Sequence, residues 1–336
     1  MRSRPLLATF VLCLSMVYTG QTHAAGPAVL IDVNSGHVLY AEEPDQLWHP
    51  ASLTKIMTAY LAFRAIKDGR IKIDQKIPVS ARANKVQPSK IGLPVGAEMG
   101  LDLALRSLII KSANDVAIML AEAIDGSVEA FAANMNRTAQ EIGMARSHFV
   151  NPNGLPDERQ VTTARDLAVL ARAVVSEFPE HAHYWATPYL RIGKRRLRSH
   201  NSLLRTFSGA TGLKTGFICD SGFNIVATAK RDERHLAAVV LGEVSPVDRS
   251  ARAAALLQHG FKRYDWKLFL AAPTLNALPE ASSTSPAPSI RGQIRVWNCG
   301  RRRRPAARKR PAKTAQPKTS PKQSANAQPG AKNATR

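Results

Sequence analysis

Strand-like runs stand at both ends of the apolar part of this 336-residue chain, and helical patterns fill the space between them. Residues 28–33 form an apolar run closed by the turn Asn34-Ser35-Gly36, and residues 37–40 return from it, so a hairpin opens the domain. Residues 223–229 and 235–241 read as two further strands, the second expected beside the stretch at Lys214. Between these ends, residues 101–124, 128–142 and a segment capped by Thr162 or Thr163 and running to 175 carry helical periodicity. Residues 71–100, with scattered Gly and Pro, read as loops with short strands, and a last helix is expected over 249–264. Such an order implies a sheet whose terminal segments meet in space, flanked by helices.

Apolar residues make up 44% of the chain, enough for one sizeable core. The net charge of +22 is uneven. Residues 271–336 hold 14 Lys and Arg against Glu280 alone, so the apolar-rich region, 26–270, is only mildly basic. Rich in Pro, Ala, Ser and basic residues, the stretch 271–336 is expected to be a disordered tail. Its charge suits electrostatic contact with wall polymer or a membrane surface. Residues 1–25 resemble a secretory signal, with Arg2 and Arg4 before a short apolar run and small residues near Ala24. Export argues against a nucleic-acid partner, and points to a periplasmic or wall-associated protein. It also permits disulfides, but Cys299 falls in the expected tail, so no bridge to Cys219 is expected. The nine histidines lack metal-ligand spacing and no Gly-rich phosphate loop occurs, so neither metal nor cofactor is implied.

Ser–x–x–Lys occurs once, at Ser52 and Lys55, where Pro50 precedes an apolar-periodic run. Residues three apart share a helix face, so the lysine projects beside the serine. Alone this is an N-cap serine and a solvated lysine. If burial or a neighbouring cation keeps the lysine neutral, it is a base that can activate a hydroxyl nucleophile. Ser–x–Asn at Ser112 and Asn114 and Lys–Thr–Gly at Lys214, Thr215 and Gly216 follow in that order. Each is turn-prone by itself; together and in order they form the set of penicillin-interacting serine enzymes.

With the stretches at 148–155, 163–167 and 221–224, these motifs make residues 26–270 resemble the D-alanyl-D-alanine carboxypeptidases among the low-molecular-mass penicillin-binding proteins. The resemblance implies a serine β-lactamase/transpeptidase-like α/β fold, an antiparallel sheet sandwiched by helices. It implies Ser52 as nucleophile, Lys55 as general base and Ser112 as proton relay to the leaving amine. Asn114, Lys214, Thr215, Gly216 and Phe217 would bind substrate, with the Ser52 and Phe217 amides as oxyanion hole, and Arg249 would read the terminal carboxylate. Peptidoglycan stem peptides and β-lactams would be the partners. Residues 271–336 resemble neither the β-rich second domain nor the amphipathic anchor of many members. Three alternatives remain: a D,D-endopeptidase with the same residues, a β-lactamase, and a wall-binding protein working through its basic tail. The second is disfavoured because no glutamate from Glu122 to Glu180 has Asn four residues on.

Overall fold

Residues 28–32 are buried on both faces, as a strand inside a sandwich must be. In the computed structural model, which describes residues 26–262, 272–279, 285–296 and 299, they form β1 (Ala28–Asp32). β1 pairs with the returning strand β2 (Val38–Glu42) on one side and with β9 (Arg234–Glu243) on the other, so the two ends of the domain do meet. β7 (Ala210–Ile218) and β8 (Gly222–Arg231) complete a five-stranded antiparallel sheet of order β2-β1-β9-β8-β7. The expected neighbourhood of residues 236–241 and Lys214 is corrected here. Consecutive strands joined by short turns pair with each other, so β8 lies between them. As a result β7 is an edge strand. Two small ribbons stand apart from this sheet: β3 (Lys76–Pro78) with β4 (Glu98–Gly100), and β5 (Tyr189–Ile192) with β6 (Arg195–Arg198).

Alternation along the strands sorts the core into two layers. Val29, Ile31 and Val239 face α1 (Thr54–Lys67), α4 (Asn114–Asp125) and α6 (Ala164–Glu177). Leu30, Ala227 and Val240 face the other way, onto α8 (Leu203–Thr206) and α9 (Pro246–Lys262). The helices α2 (Ala81–Lys85), α3 (Leu101–Arg106), α5 (Val128–Glu141) and α7 (Ala182–Ala186) surround the first layer. α1 is buried at 11 of its 14 positions, so it is core on nearly every side. A residue on such a helix cannot shift without repacking its neighbours, and the first turn of α1 carries Lys55.

Part of the region expected to be a tail is folded onto the domain. Arg165 forms a buried two-point ion pair with Asp45 (2.6 and 2.8 Å), and its guanidinium also donates to the carbonyls of Leu275, Leu278 and Pro279. Thr274 bridges to His37, and Leu275 is buried. Further on, Cys299 is bonded to Cys219, against the expectation that they stay apart. Composition had masked a few well-placed apolar side chains, Leu275, Ile290 and Ile294, in a Pro- and Ala-rich stretch. The signal-like residues 1–25 and the most basic segment, 301–336, lie outside the described residues. Among the described residues no helix is long and apolar enough to cross a membrane.

Candidate active site

Ser52 sits in a 3-10 turn, Ala51–Leu53, that leads directly into α1. It caps nothing: no side-chain cap bond is made there. Instead its Oγ lies 3.0 Å from Lys55 Nζ. The residue before it, Ala51, holds φ at +49°, a left-handed conformation that costs a non-glycine residue roughly 1–3 kcal/mol. Two glycines let the chain crowd this turn. A Cβ on Gly216 would stand 2.8 Å from Pro50 O and 3.1 Å from Ser52 N, so only glycine lets the edge of β7 approach the Ser52 amide. Gly154 lies against the Ala51 carbonyl at closer than van der Waals distance for any added side chain.

Lys55 is fully buried. Besides Ser52, its Nζ contacts Asn114 Oδ1 at 2.7 Å and the Asn153 carbonyl at 2.5 Å. Burial, then the nearby Lys214 charge, hold its pKa well below the ordinary lysine value, with Asp115 opposing weakly. A neutral amine has two N–H donors and one lone pair. Two acceptors, Asn114 and Asn153, take the donors, and the lone pair is left for the Ser52 hydroxyl proton.

Ser112 follows a π-helical turn, Ser107–Lys111, and holds φ at +61°, again left-handed. Such turns recur where a helix is bent to aim a side chain. Ser112 Oγ is buried and has no hydrogen-bond partner, which in a native interior calls for an incoming group. Asn114 opens α4, and its Nδ2 donates to Gln87 O, so its amide orientation is fixed toward Lys55. Asp115, in the first turn of the same helix, accepts from the amides of Ile91 and Gly92 and thereby holds the loop bearing Pro88 and Ser89.

Lys214 points inward from β7, with its pKa lowered to about 7 by burial and then by Arg249. Arg249, in the first turn of α9, is also buried rather than on the surface, and burial lowers its pKa to about 10. One Nη2 donates to the His200 carbonyl at 3.3 Å, while Nε has no partner. His200 itself is pushed down to about 4 by burial and by Lys214, Lys111 and Arg249, so it is neutral at pH 7. Ser52, Ser112, Asn114, Thr215, Gly216, Phe217 and Arg249 all line one cleft of about 660 Å3. Lys55 and Lys214 lie beneath it.

Every residue singled out from the sequence is therefore in or under one cleft. Asn153, Asp115 and His200 were not assigned roles there. Asn151-Pro152-Asn153-Gly154 advertises a turn, but nothing in its composition says that the turn docks on Lys55. No cluster of three or more metal-ligand side chains occurs among the described residues.

Residues 15–245 match the family model described as D-alanyl-D-alanine carboxypeptidase. The chain belongs to this family. Among curated relatives, it is 34% identical over 248 residues to the D-alanyl-D-alanine carboxypeptidase DacF of Bacillus subtilis, covering 72% of this chain and 64% of that one. The carboxypeptidase family member thus spans less than two thirds of the length of such relatives. Its fold matches that of the D-alanyl-D-alanine carboxypeptidase DacD from Francisella tularensis, with a TM-score of 0.70 and 31% identity over 72% of this chain and 71% of that one. It also matches penicillin-binding protein D2 from Listeria monocytogenes in its ampicillin-bound form, with a TM-score of 0.65 and 28% identity over 70% and 97% of the two chains. These neighbours agree with the α/β sandwich read from the sequence.

Proposed function

We propose that the chain is an exported serine-type D-Ala-D-Ala carboxypeptidase that removes the terminal D-Ala from peptidoglycan stem pentapeptides. The observation that carries this reading is the buried Lys55, its pKa held well below the ordinary lysine value and its Nζ held 3.0 Å from Ser52 Oγ by two fixed acceptors. Ser52 Oγ attacks the carbonyl carbon of the penultimate D-Ala while its proton passes to Lys55 Nζ. The oxygen that becomes negative is received by the amides of Ser52 and Phe217. As the C–N bond breaks, Ser112 passes a proton to the departing amine. Water then attacks the acyl-enzyme and restores Ser52. Asn114 holds Lys55 and the substrate amide, and Thr215 and Gly216 offer the free edge of β7 to an extended peptide.

The unpartnered Arg249 Nε supports a carboxylate at the Lys214 end of the cleft, because a buried guanidinium keeps a spare donor at a cost unless a ligand takes it. Ampicillin bound by the Listeria relative supports acylation by β-lactams here. Export, to the periplasm or wall, is supported by the signal-like residues 1–25 and by the Cys219–Cys299 bond, which requires an oxidising compartment. The charge of residues 301–336 suits contact with anionic wall polymer or lipid headgroups. The deciding assay offers the protein a stem pentapeptide, its C-terminal amide and a cross-linked dimer. Release of D-Ala from the first alone supports the carboxypeptidase; cleavage of the dimer in preference to the pentapeptide would make it an endopeptidase.

A further inference from the structure

The cleft does not end at Phe217. Past it, a groove of about 490 Å3 continues between residues 156–158 and residues 286–289, sharing Pro156 and Ile218 with the cleft itself. Its outer wall is the C-terminal segment, and two devices fix that wall beside the β7–β8 turn. One is the Cys219–Cys299 disulfide. The other is Asp220, whose carboxylate takes a two-point bond from Arg291 (2.8 and 3.1 Å) and a third from Ser289 Oγ (2.7 Å). Asp220 O also accepts from the Ile290 amide. Gly222 leaves room for the segment, since a Cβ there would stand 2.5 Å from Ile290 Cδ1.

We propose that this groove is the acyl-side subsite of the cleft, holding the residues that precede the scissile bond, and that the disulfide-tethered segment is its wall. This rests on the reading above, in which the terminal carboxylate lies at the Lys214–Arg249 end of β7 and the scissile carbonyl at Ser52. A peptide laid along the edge of β7 in that sense continues past Ile218 and into the groove. β7 ends at Ile218 and the chain turns at Cys219 and Asp220, so a peptide on the strand edge leaves it there for the groove, whose volume of about 490 Å3 is room for a short run of residues. The lining suits a peptide of mixed character: Pro156, Ile218 and Pro286 are apolar, His49 and Ser289 are polar, and of the carboxylates Asp157, Glu158 and Asp220 the first and last are already paired with Arg159 and Arg291. Arg291 stands in the lining of the cleft, at the junction with the groove. Cys299 acts only by positioning this wall.

The test compares a stem-type pentapeptide with N-acetyl-D-Ala-D-Ala, which is too short to reach the groove. Both are assayed on the full chain with the disulfide intact, after mild thiol reduction verified by thiol counting, and on Cys299→Ser. Opening the bond should lower kcat/KM for the pentapeptide by roughly 10-fold through KM, the worth of one or two hydrogen bonds. Hydrolysis of the short peptide and the rate of penicillin acylation should not change. An unchanged ratio between the two peptides after verified reduction would overturn the proposal. So would equal loss on both, which would make the segment a support for the fold. If Cys299→Ser does not fold, the reduced native protein gives the same answer. Failure of the oxidised protein to cleave either peptide would defeat the parent reading, and this one with it.

Discussion

In the proposed mechanism Lys55 has to be buried deeply enough to lose its proton and near enough to Ser52 to accept another. Both follow from its place in the first turn of a helix that is core on nearly all sides. Lys55→Arg should therefore lower the acylation rate by about 10²–10⁴-fold, the usual worth of a general base, because a guanidinium stays protonated. Stopped-flow acylation by a chromogenic β-lactam measures this, and a near-native rate would remove Lys55 from the role. The same chemistry sets the pH profile of kcat/KM. At low pH Lys55 is protonated and cannot accept, so activity rises with pH as it is freed. Above about pH 7 the free enzyme loses the Lys214 cation, and binding of an anionic terminus weakens. The expected profile is a bell whose falling limb disappears in Lys214→Gln; a flat profile would contradict the assignment. Arg249 keeps its charge throughout this range. Arg249→Ala should cut hydrolysis of peptides with a free C-terminus by about 10- to 150-fold, from the loss of one charge-assisted contact, and spare substrates with an amidated end. Equal loss on both would assign Arg249 to the fold.

Among elements, the edge strand β7 and the C-terminal segment matter most. β7 is available to a peptide because β8 covers only one of its sides, and Gly216 lets it touch the Ser52 turn. The segment after residue 271 contributes through Arg165, through Asp220 and through a disulfide that closes a loop of 80 residues. In a chain-entropy account that closure is worth on the order of 4 kcal/mol. Ending the chain at residue 271 should therefore lower the thermal midpoint by many degrees, whereas ending it after residue 300 should not. Calorimetry on the two truncations decides this, and equal midpoints would show the segment to be idle. Much of the element order was legible beforehand. Residues 28–31 and 236–241 are apolar at every position, as a strand buried on both faces needs, and Thr163 does cap α6. The strap was not legible. Its anchoring groups, Arg165, Asp220 and Cys219, are far away in sequence and look like ordinary residues until the fold brings them together. The site residues were legible as three spaced motifs, but Asn153 was not. It acts through its backbone carbonyl, and a carbonyl leaves no mark on side-chain chemistry.

At the scale of the whole molecule, the cleft is bought at the expense of stability. Lys55, Lys214 and Arg249 are basic groups held out of water, and burial lowers the pKa of each. The Lys214 pKa in the folded state, about 7, is below its unfolded value. The unfolded chain thus binds more protons between the two values, and stability should rise with pH from about 7 to 10. Lys214→Met should accordingly stabilise the protein at pH 7 by about 1–4 kcal/mol while weakening turnover of peptides with a free C-terminus. Urea unfolding of the two proteins checks both the sign and the size, and a destabilised Lys214→Met would show that the charge is compensated. The central claim, a serine acyl-enzyme, is tested most directly by mass spectrometry after incubation with benzylpenicillin. The account expects one covalent adduct per chain, on the proteolytic peptide that carries Ser52, and none on a folded Ser52→Ala protein. An adduct on any other residue, or one that persists in Ser52→Ala, would contradict it.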